Sequence, residues 1–289
     1  MLLRQRLILR ILNNHGGSME RLRLVKLLFL ACQERTAPSD LLYYGFLPYR
    51  YGPFSFTMYH EIGRLEENGF LNATEQHFRI SPSGIAEASK VTGSPAIELD
   101  ALCKRFASWA TRALVALVYK NYPWFTVNSV SEKNRLAEKP VAVSAIYTVG
   151  YEAFSVDHLL NLCLKKGISR LIDVRKNPVA RRFGYHKSTL KRLCSDVGLS
   201  YTHFPELGVP SEWRQNLSEH SAYIRVFARY EREVLAKRLA DVVNVERLMR
   251  TEPCVLLCVE ADPELCHRTR LARFLAGRTG MPTMDLRAA

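Results

Sequence analysis

Hydrophobic and polar positions change period partway along the chain. Over about the first 120 residues the apolar positions recur mostly three and four apart, the pattern of amphipathic helices. Residues 3–14 suit a first helix that stops at Asn13-Asn14-His15-Gly16-Gly17. Ser18 is placed to cap a second, in which Leu22, Val25, Leu28, Phe29 and Cys32 share a face. Pro38-Ser39-Asp40 opens a brief third turn, followed by an aromatic loop, YYGFLPYRYGPFS. Residues 55–68 form a helix with Met58, Ile62 and Leu65 on one side and Gly69 as its stop. FLNAT and HFRIS make a hairpin around Glu75-Gln76, and Ser81-Pro82-Ser83-Gly84 leads into another helix. Residues 97–121 read as one long helix that packs on the preceding elements or forms a homodimer seam.

After the polar stretch SEKNRLAEKP, short apolar runs alternate with amphipathic helices. The runs AIYTVG, ISRLIDVR, LSYTHFPE and CVLLCVE predict four strands, with PTMDL as a candidate fifth. SVDHLLNLCLKKG, KSTLKRLCSDVG, one or two helices over 220–250, and CHRTRLARFLAGRTG lie between and after them. That alternation specifies a parallel sheet in α/β layers. The expected architecture is therefore a Rossmann-like α/β domain over 141–289, preceded by an all-α, winged-helix-like domain over 1–135, with the boundary in the polar stretch.

Composition adds constraints. The 289 residues are 47% hydrophobic, enough for two cored domains, and no run approaches the length of a membrane span. The basic start, MLLRQRLILRIL, is broken by Arg4, Arg6 and Arg10 and suits a first helix better than a signal peptide. Seven scattered cysteines make no disulfide framework, so a cytoplasmic protein with reduced thiols is expected, with no membrane association. The net charge of +13 calls for a polyanionic partner, most simply nucleic acid, although a solvated basic surface would read the same. Residues 1–140 carry 18 basic against 12 acidic side chains and residues 141–289 carry 23 against 16, so the excess is shared.

Helix, helix, helix, hairpin is the order of a winged helix-turn-helix, in which one helix enters a DNA groove and the wing meets the backbone. The DNA-facing candidates are Arg50, His60, Arg64 and Arg79. Glu61, Glu66 and Glu67 make the 55–68 helix only weakly basic, and the same fold also serves protein contacts. The segments LVKLLFLACQ and YYGFLPYRYGPFSFTMYHEIGRLEENGFL resemble the N-terminal region of Panacea-type antitoxin domains, which pair a KLL-F helix with a Y-GP loop. The resemblance covers about 60 residues and implies a regulatory or partner-binding winged helix, with Tyr51, Gly52 and Pro53 fixing the loop.

In open parallel sheets ligands bind beyond the carboxyl ends of the strands. Here those ends deliver Gly150-Tyr151, Asp173-Val174-Arg175, His203 through Glu206, and Glu260 followed by Cys266-His267-Arg268. Asp173 is a candidate acid/base or orienting group, and Arg175 either its ion-pair partner or a phosphate clamp. Arg181 and Arg182 belong to a basic loop that could grip an anion. Cys266, at a helix start beside Arg268, is a candidate nucleophile with lowered thiol pKa, and Glu260 and His267 are its candidate acid/base partners. Cys258, Cys266 and His267 form an alternative metal set, the weaker reading because no CxxC or HExxH is present and Cys258 lies in a strand. No phosphate-binding glycine loop occurs and no cofactor is indicated.

The segments TVGYEAF…SRLIDVRKNPVARRFGYHK…YTHFPELGVP and LLCVEADPELCHR resemble the DUF488 family, which shows a T-[IV]-G-[YH] strand, a D-V-R with downstream P and R, a Y-x-H-x-P-x-L-G segment and a C-x-E-x-x-P-x-x-C-H-R near the end. The resemblance covers about 145 residues. It implies that Gly150, Asp173, Arg175, Pro178, Arg182, Leu207, Gly208, Cys258, Glu260, Cys266, His267 and Arg268 form one motif set. Tyr151 stands where many members have His. Two readings follow: an enzyme, hydrolase or transferase, that processes a nucleotide or nucleic-acid ligand, and a non-enzymatic DNA-binding regulator or partner module of a toxin–antitoxin or phage-defence system.

Overall fold

The computed structural model describes residues 1–34, 44–214 and 220–287. The chain forms two compact units, 1–138 and 139–289. The turn expected at Pro38-Ser39-Asp40 lies outside the described residues.

The first unit opens with α1 (Leu3–Asn14), which buries Leu7, Ile8, Leu9, Ile11 and Leu12. Ser18 does not cap the next helix. Gly16 and Gly17, both at positive φ, turn the chain so that Ser18–Glu20 forms β1, and α2 (Arg21–Gln33) starts only at Arg21. The loop expected around Tyr51 contains a tight pair of three-residue strands, β2 (Leu47–Tyr49) and β3 (Gly52–Phe54). Next come α3 (Phe56–Glu67), capped by the Ser55 hydroxyl, and the hairpin of β4 (Leu71–Ala73) and β5 (His77–Ile80). Strand β1 adds to that hairpin to give the order β1-β5-β4. Then follow α4 (Pro82–Ala88), α5 (Ser94–Arg105) and α6 (Thr111–Asn121). The single helix expected over 97–121 is thus two. The Arg23 guanidinium accounts for the break: it donates to the carbonyls of Phe106, at 2.6 Å, and Trp109, holding that segment out of helix.

Helix α2 is buried along most of its length, Lys26 included. The Lys26 ammonium donates to the carbonyl of Tyr51 at 2.5 Å and reaches that of Pro53 at 3.5 Å, tying the KLL-F helix to the Y-GP loop. Gly52 sits at φ +87° against Tyr119, where a Cβ would lie 2.6 Å from the ring.

The second unit contains β6 (Ile146–Gly150), α7 (Val156–Lys165), β7 (Arg170–Asp173), α8 (Lys187–Asp196), β8 (Ser200–His203), α9 (His220–Tyr230), α10 (Leu239–Thr251), β9 (Cys254–Cys258), α11 (His267–Thr279) and β10 (Thr283–Leu286). Among the described residues these strands form a Rossmann-like parallel sheet in the order β10-β6-β9-β7-β8, with the candidate strand PTMDL at one edge. Every residue of β6 and β9 is buried, as a sheet covered on both faces requires. Ile146, Ile172, Leu256 and Cys258 on one face share a core with residues of α9, α10 and α11. All strands run the same way, so their carboxyl ends share one edge. There Gly150 is in register with Cys258, and Asp173 with both Leu257 and His203. No helix among the described residues is long and apolar enough to cross a membrane.

The segment after β9 crosses the end of β6 at backbone contact. The Glu152 amide donates to the Val259 carbonyl at 2.9 Å, and a Cβ on Gly150 would lie 1.7 Å from the Glu260 carbonyl oxygen.

Two predictions follow from these contacts. Burial lowers the Lys26 ammonium to about 7 from its ordinary 10.5. Between those values the unfolded chain holds a proton that the folded chain has released, so stability rises with pH across that window and does not change on this account below it. Denaturant midpoints measured from pH 6 to 10 should rise for the natural chain relative to Lys26→Met, whose profile lacks this component. Gly150→Ala should destabilise the second unit by about 3 kcal/mol or more, because backbone rather than a flexible side chain must move; urea titration checks it.

Candidate functional site

The carboxyl edge of the sheet presents two polar groups. The first is built on β7. Asp173 is fully buried, and its oxygens accept from Arg175 Nε at 2.8 Å, Arg175 Nη2 at 2.5 Å, the Arg175 amide at 3.1 Å and the Tyr201 hydroxyl at 2.7 Å. Arg175 also donates to the Tyr185 carbonyl at 2.9 Å and lies over the ring of Tyr151, which in turn stacks on Tyr185 with centroids 4.0 Å apart. His203 Nε2 donates to the Arg175 carbonyl at 2.8 Å, and its buried Nδ1 has no protein partner. Both oxygens of the Asp173 carboxylate are therefore filled by protein donors.

The second group gathers on β9 and the start of α11. Cys258 is the last residue of β9, Cys266 is the N-cap of α11 and His267 its first residue, and all three are buried. Their ligating atoms all lie within 4.8 Å of one another. Cys258 Sγ lies 3.2 Å from Glu260 Oε2 and 3.6 Å from His267 Nδ1. His267 Nε2 lies 3.0 Å from the Val174 carbonyl, so it carries the ring proton, and Nδ1 offers a lone pair to the sulfurs. The Tyr230 ring packs edge-on against His267 at 5.3 Å, and its hydroxyl donates to the Leu207 carbonyl at 2.7 Å. Val174 joins the groups, since it stands between Asp173 and Arg175 and holds His267.

The environment of Cys266 differs from the expectation. A helix start beside Arg268 was expected to favour thiolate. Instead burial, together with the adjacent Cys258 thiol, pushes the Cys266 thiol well up, because the group is removed from water that a helix terminus cannot replace. Burial also opposes ionisation of Glu260, but the Cys266 thiol bonded to it and the nearby His267 and Arg214 hold its carboxyl below the ordinary range.

Of the arginines expected to grip phosphate, Arg175 and Arg268 are buried, whereas Arg181 and Arg182 are exposed. Arg268 is fully buried and donates to the carbonyls of Glu260, at 2.5 Å, and Ala261, at 3.3 Å, and to Asp285 at 3.3 Å, which also accepts from Thr148 at 2.5 Å. Arg182 Nη1 reaches the carbonyls of Tyr151, Glu152 and Phe154 at 3.3, 2.7 and 3.1 Å. With Arg175, these guanidiniums brace backbone that would otherwise carry unpaired acceptors. Arg181 is exposed, and Glu206 pairs with Lys176 and Arg238 at 3.0 and 2.9 Å. Gly208 packs against the Lys176 backbone, where a Cβ would lie 2.2 Å from the amide nitrogen.

Sequence reasoning missed Tyr201, Tyr230 and Asp285. Tyr201 was findable, since it precedes His203 by two in a strand and so shares its face. Tyr230 and Asp285 come from distant segments and carry no local signal. In the first unit, Arg50, His60, Arg64 and Arg79 are all exposed.

Residues 155–275 match the model of a family described as a domain of unknown function, DUF488. The chain matches no curated protein and no solved structure. The matched span runs from the start of α7 into α11 and contains Asp173, Arg175, Cys258, Glu260, Cys266, His267 and Arg268, so the α/β half of this chain is similar to that family over those residues.

Proposed function

We propose that the protein acts on nucleic acid: the first unit binds DNA and the DUF488 domain carries out chemistry on a nucleotide or nucleic-acid ligand at the carboxyl edge of its sheet. The observation that carries this reading is the convergence of Cys258, Glu260, Cys266 and His267 at the strand-end edge where parallel sheets bind ligands. Glu260 is the proton-transfer group, because it is the half-buried member and its carboxylate is ionised. His267, held in one tautomer by the Val174 carbonyl, keeps the sulfurs in place. Asp173 and Arg175 position this centre without touching the ligand. The net charge of +13 and the exposed Arg50, His60, Arg64 and Arg79 support the DNA contact, as does the order of three helices and a hairpin in the first unit.

A second reading, a non-enzymatic DNA-binding regulator or partner module, draws support from one observation: Arg175 and Arg268 are buried and spend their donors on the fold, which leaves them no part in a phosphate clamp.

Glu260→Gln in the full-length chain separates the readings. With single- and double-stranded oligonucleotides and nucleotides as substrates, the enzyme reading expects turnover by the natural chain and its loss in the variant, with DNA affinity unchanged. Absence of turnover by the natural chain on all of these supports the regulator. DNA affinity should fall steeply with salt. Arg64→Glu with Arg79→Glu should weaken it by about tenfold or more and reduce the slope of log affinity against log salt by about 0.9 per lost phosphate contact, read by fluorescence anisotropy. Salt-independent affinity would exclude a phosphate-directed interface.

A further inference from the structure

Three features of the molecule stand outside the readings above. A cavity of about 500 Å³ in the first unit is lined by Tyr49, Phe54 and Tyr59 with Arg21 and Arg50, but nothing identifies its occupant. A cavity of about 580 Å³ beside β10 is lined by Lys165, Lys166 and Arg287 and has no convergent buried polar group. The third feature, the Cys258–Cys266–His267 cluster, goes further.

We propose that Cys258, Cys266 and His267 bind a thiophilic divalent cation, zinc foremost. The donor set is two sulfurs and one imidazole nitrogen, the chemistry that selects zinc over magnesium or calcium. One pair of these atoms is already at the spacing that zinc demands, and the third ligating atom lies close by. Zn–S bonds of about 2.3 Å and a Zn–N bond of about 2.0–2.1 Å at tetrahedral angles place sulfur and nitrogen roughly 3.6 Å apart. Cys258 Sγ and His267 Nδ1 are 3.6 Å apart, and all three ligating atoms fall within 4.8 Å of one another.

Outer contacts favour the same assignment. A metal-bound histidine commonly donates its second ring nitrogen to a backbone carbonyl, which fixes the tautomer and aims the other lone pair at the ion. His267 does this through Nε2 and the Val174 carbonyl at 3.0 Å, and the Tyr230 ring fixes the imidazole plane. Cys258 and Cys266 are free thiols, neither linked to the other nor to a third cysteine. Their backbone placement is rigid, one at the end of a fully buried strand and the other capping a 13-residue helix.

Glu260 stands beside the remaining corner, its Oε2 3.2 Å from Cys258 Sγ. A site with two thiolates and one imidazole keeps its fourth corner open, and a half-buried carboxylate next to that corner suits a cation that polarises a water there for attack on an electrophilic carbon or phosphorus, with Glu260 taking the proton. The substrate class is then one cleaved or deaminated by water, such as a nucleobase, nucleotide or nucleic-acid bond. This assignment deepens the proposed function and shares its centre, but metal binding is read without turnover, so either can fail without the other.

The test uses the full-length chain, purified under reducing conditions without an immobilised-metal column. Elemental analysis should find about one zinc per chain. After chelation, titration with cobalt(II) should give the intense visible bands of tetrahedral cobalt together with sulfur-to-cobalt charge transfer. Cys258→Ser, Cys266→Ser and His267→Ala should each bring bound metal below about a tenth of the natural stoichiometry, whereas Cys163→Ser and Cys194→Ser, at buried thiols outside the cluster, should retain it. Because buried substitutions can unfold the chain, the cobalt spectrum of the unsubstituted protein is decisive. A hexaaqua-type spectrum, zinc that stays at trace level after reconstitution, or a Cys258–Cys266 disulfide in freshly reduced protein would overturn the assignment.

Discussion

A carboxylate buried at the end of a strand must have partners, and in the α/β unit the partnering of Asp173 organises the carboxyl edge of the sheet. The guanidinium two residues on supplies it, since alternate residues leave a strand on the same side. Removing one member of such a buried pair costs about 3–5 kcal/mol, because the other charge is left stranded. The pair also fixes what surrounds it. Arg175 holds the Tyr185 carbonyl and lies over Tyr151, anchoring the loop before α8, and its own carbonyl accepts from His203. Between the two residues, Val174 binds β9 through its amide and His267 through its carbonyl. The sulfur–imidazole cluster therefore inherits its geometry from an ion pair that it does not touch.

The first unit solves a related problem differently. Lys26 is as deeply buried as Arg175, but its partners are the carbonyls of Tyr51 and Pro53 rather than a carboxylate. Carbonyl dipoles accept a hydrogen bond without offsetting a full charge. Burial therefore drives the Lys26 ammonium down, while Asp173 keeps Arg175 firmly protonated. The Y-GP loop is consequently held by a group whose charge state depends on pH near neutrality, whereas the carboxyl edge of the α/β sheet is held by a pair whose charge does not.

The layout of the α/β unit was legible because its signals are local: apolar runs of strand length, Ser155 and Gly167 bounding α7, and the polar residues that end each run. Parallel register then sends those residues to one edge without further information. What escaped the sequence depended on partners remote in the chain. Strands of three residues, such as β1, β2 and β3, are too short for alternation to show. The break between α5 and α6 is made by Arg23, some 80 positions away. The sign of Arg268 is plain in the sequence, but the Glu260 carbonyl and Asp285 that occupy it are not. The Cys266 thiol shows the same limit: a helix start can be read from the sequence, while complete burial at that start can be seen only in the fold.

The burial of Arg175 and Arg268 changes what the motif residues mean. D-V-R and the final arginine of C-H-R serve the backbone, as do Gly150 and Gly208, whose missing side chains let other main-chain segments pass. What remains at the edge is a soft donor set of two sulfurs and an imidazole next to an ionised carboxylate. Such a set is a poor phosphate grip and a good electrophile holder. Chemistry in this domain is therefore better sought at C-x-E and C-H than at the guanidiniums that first draw the eye.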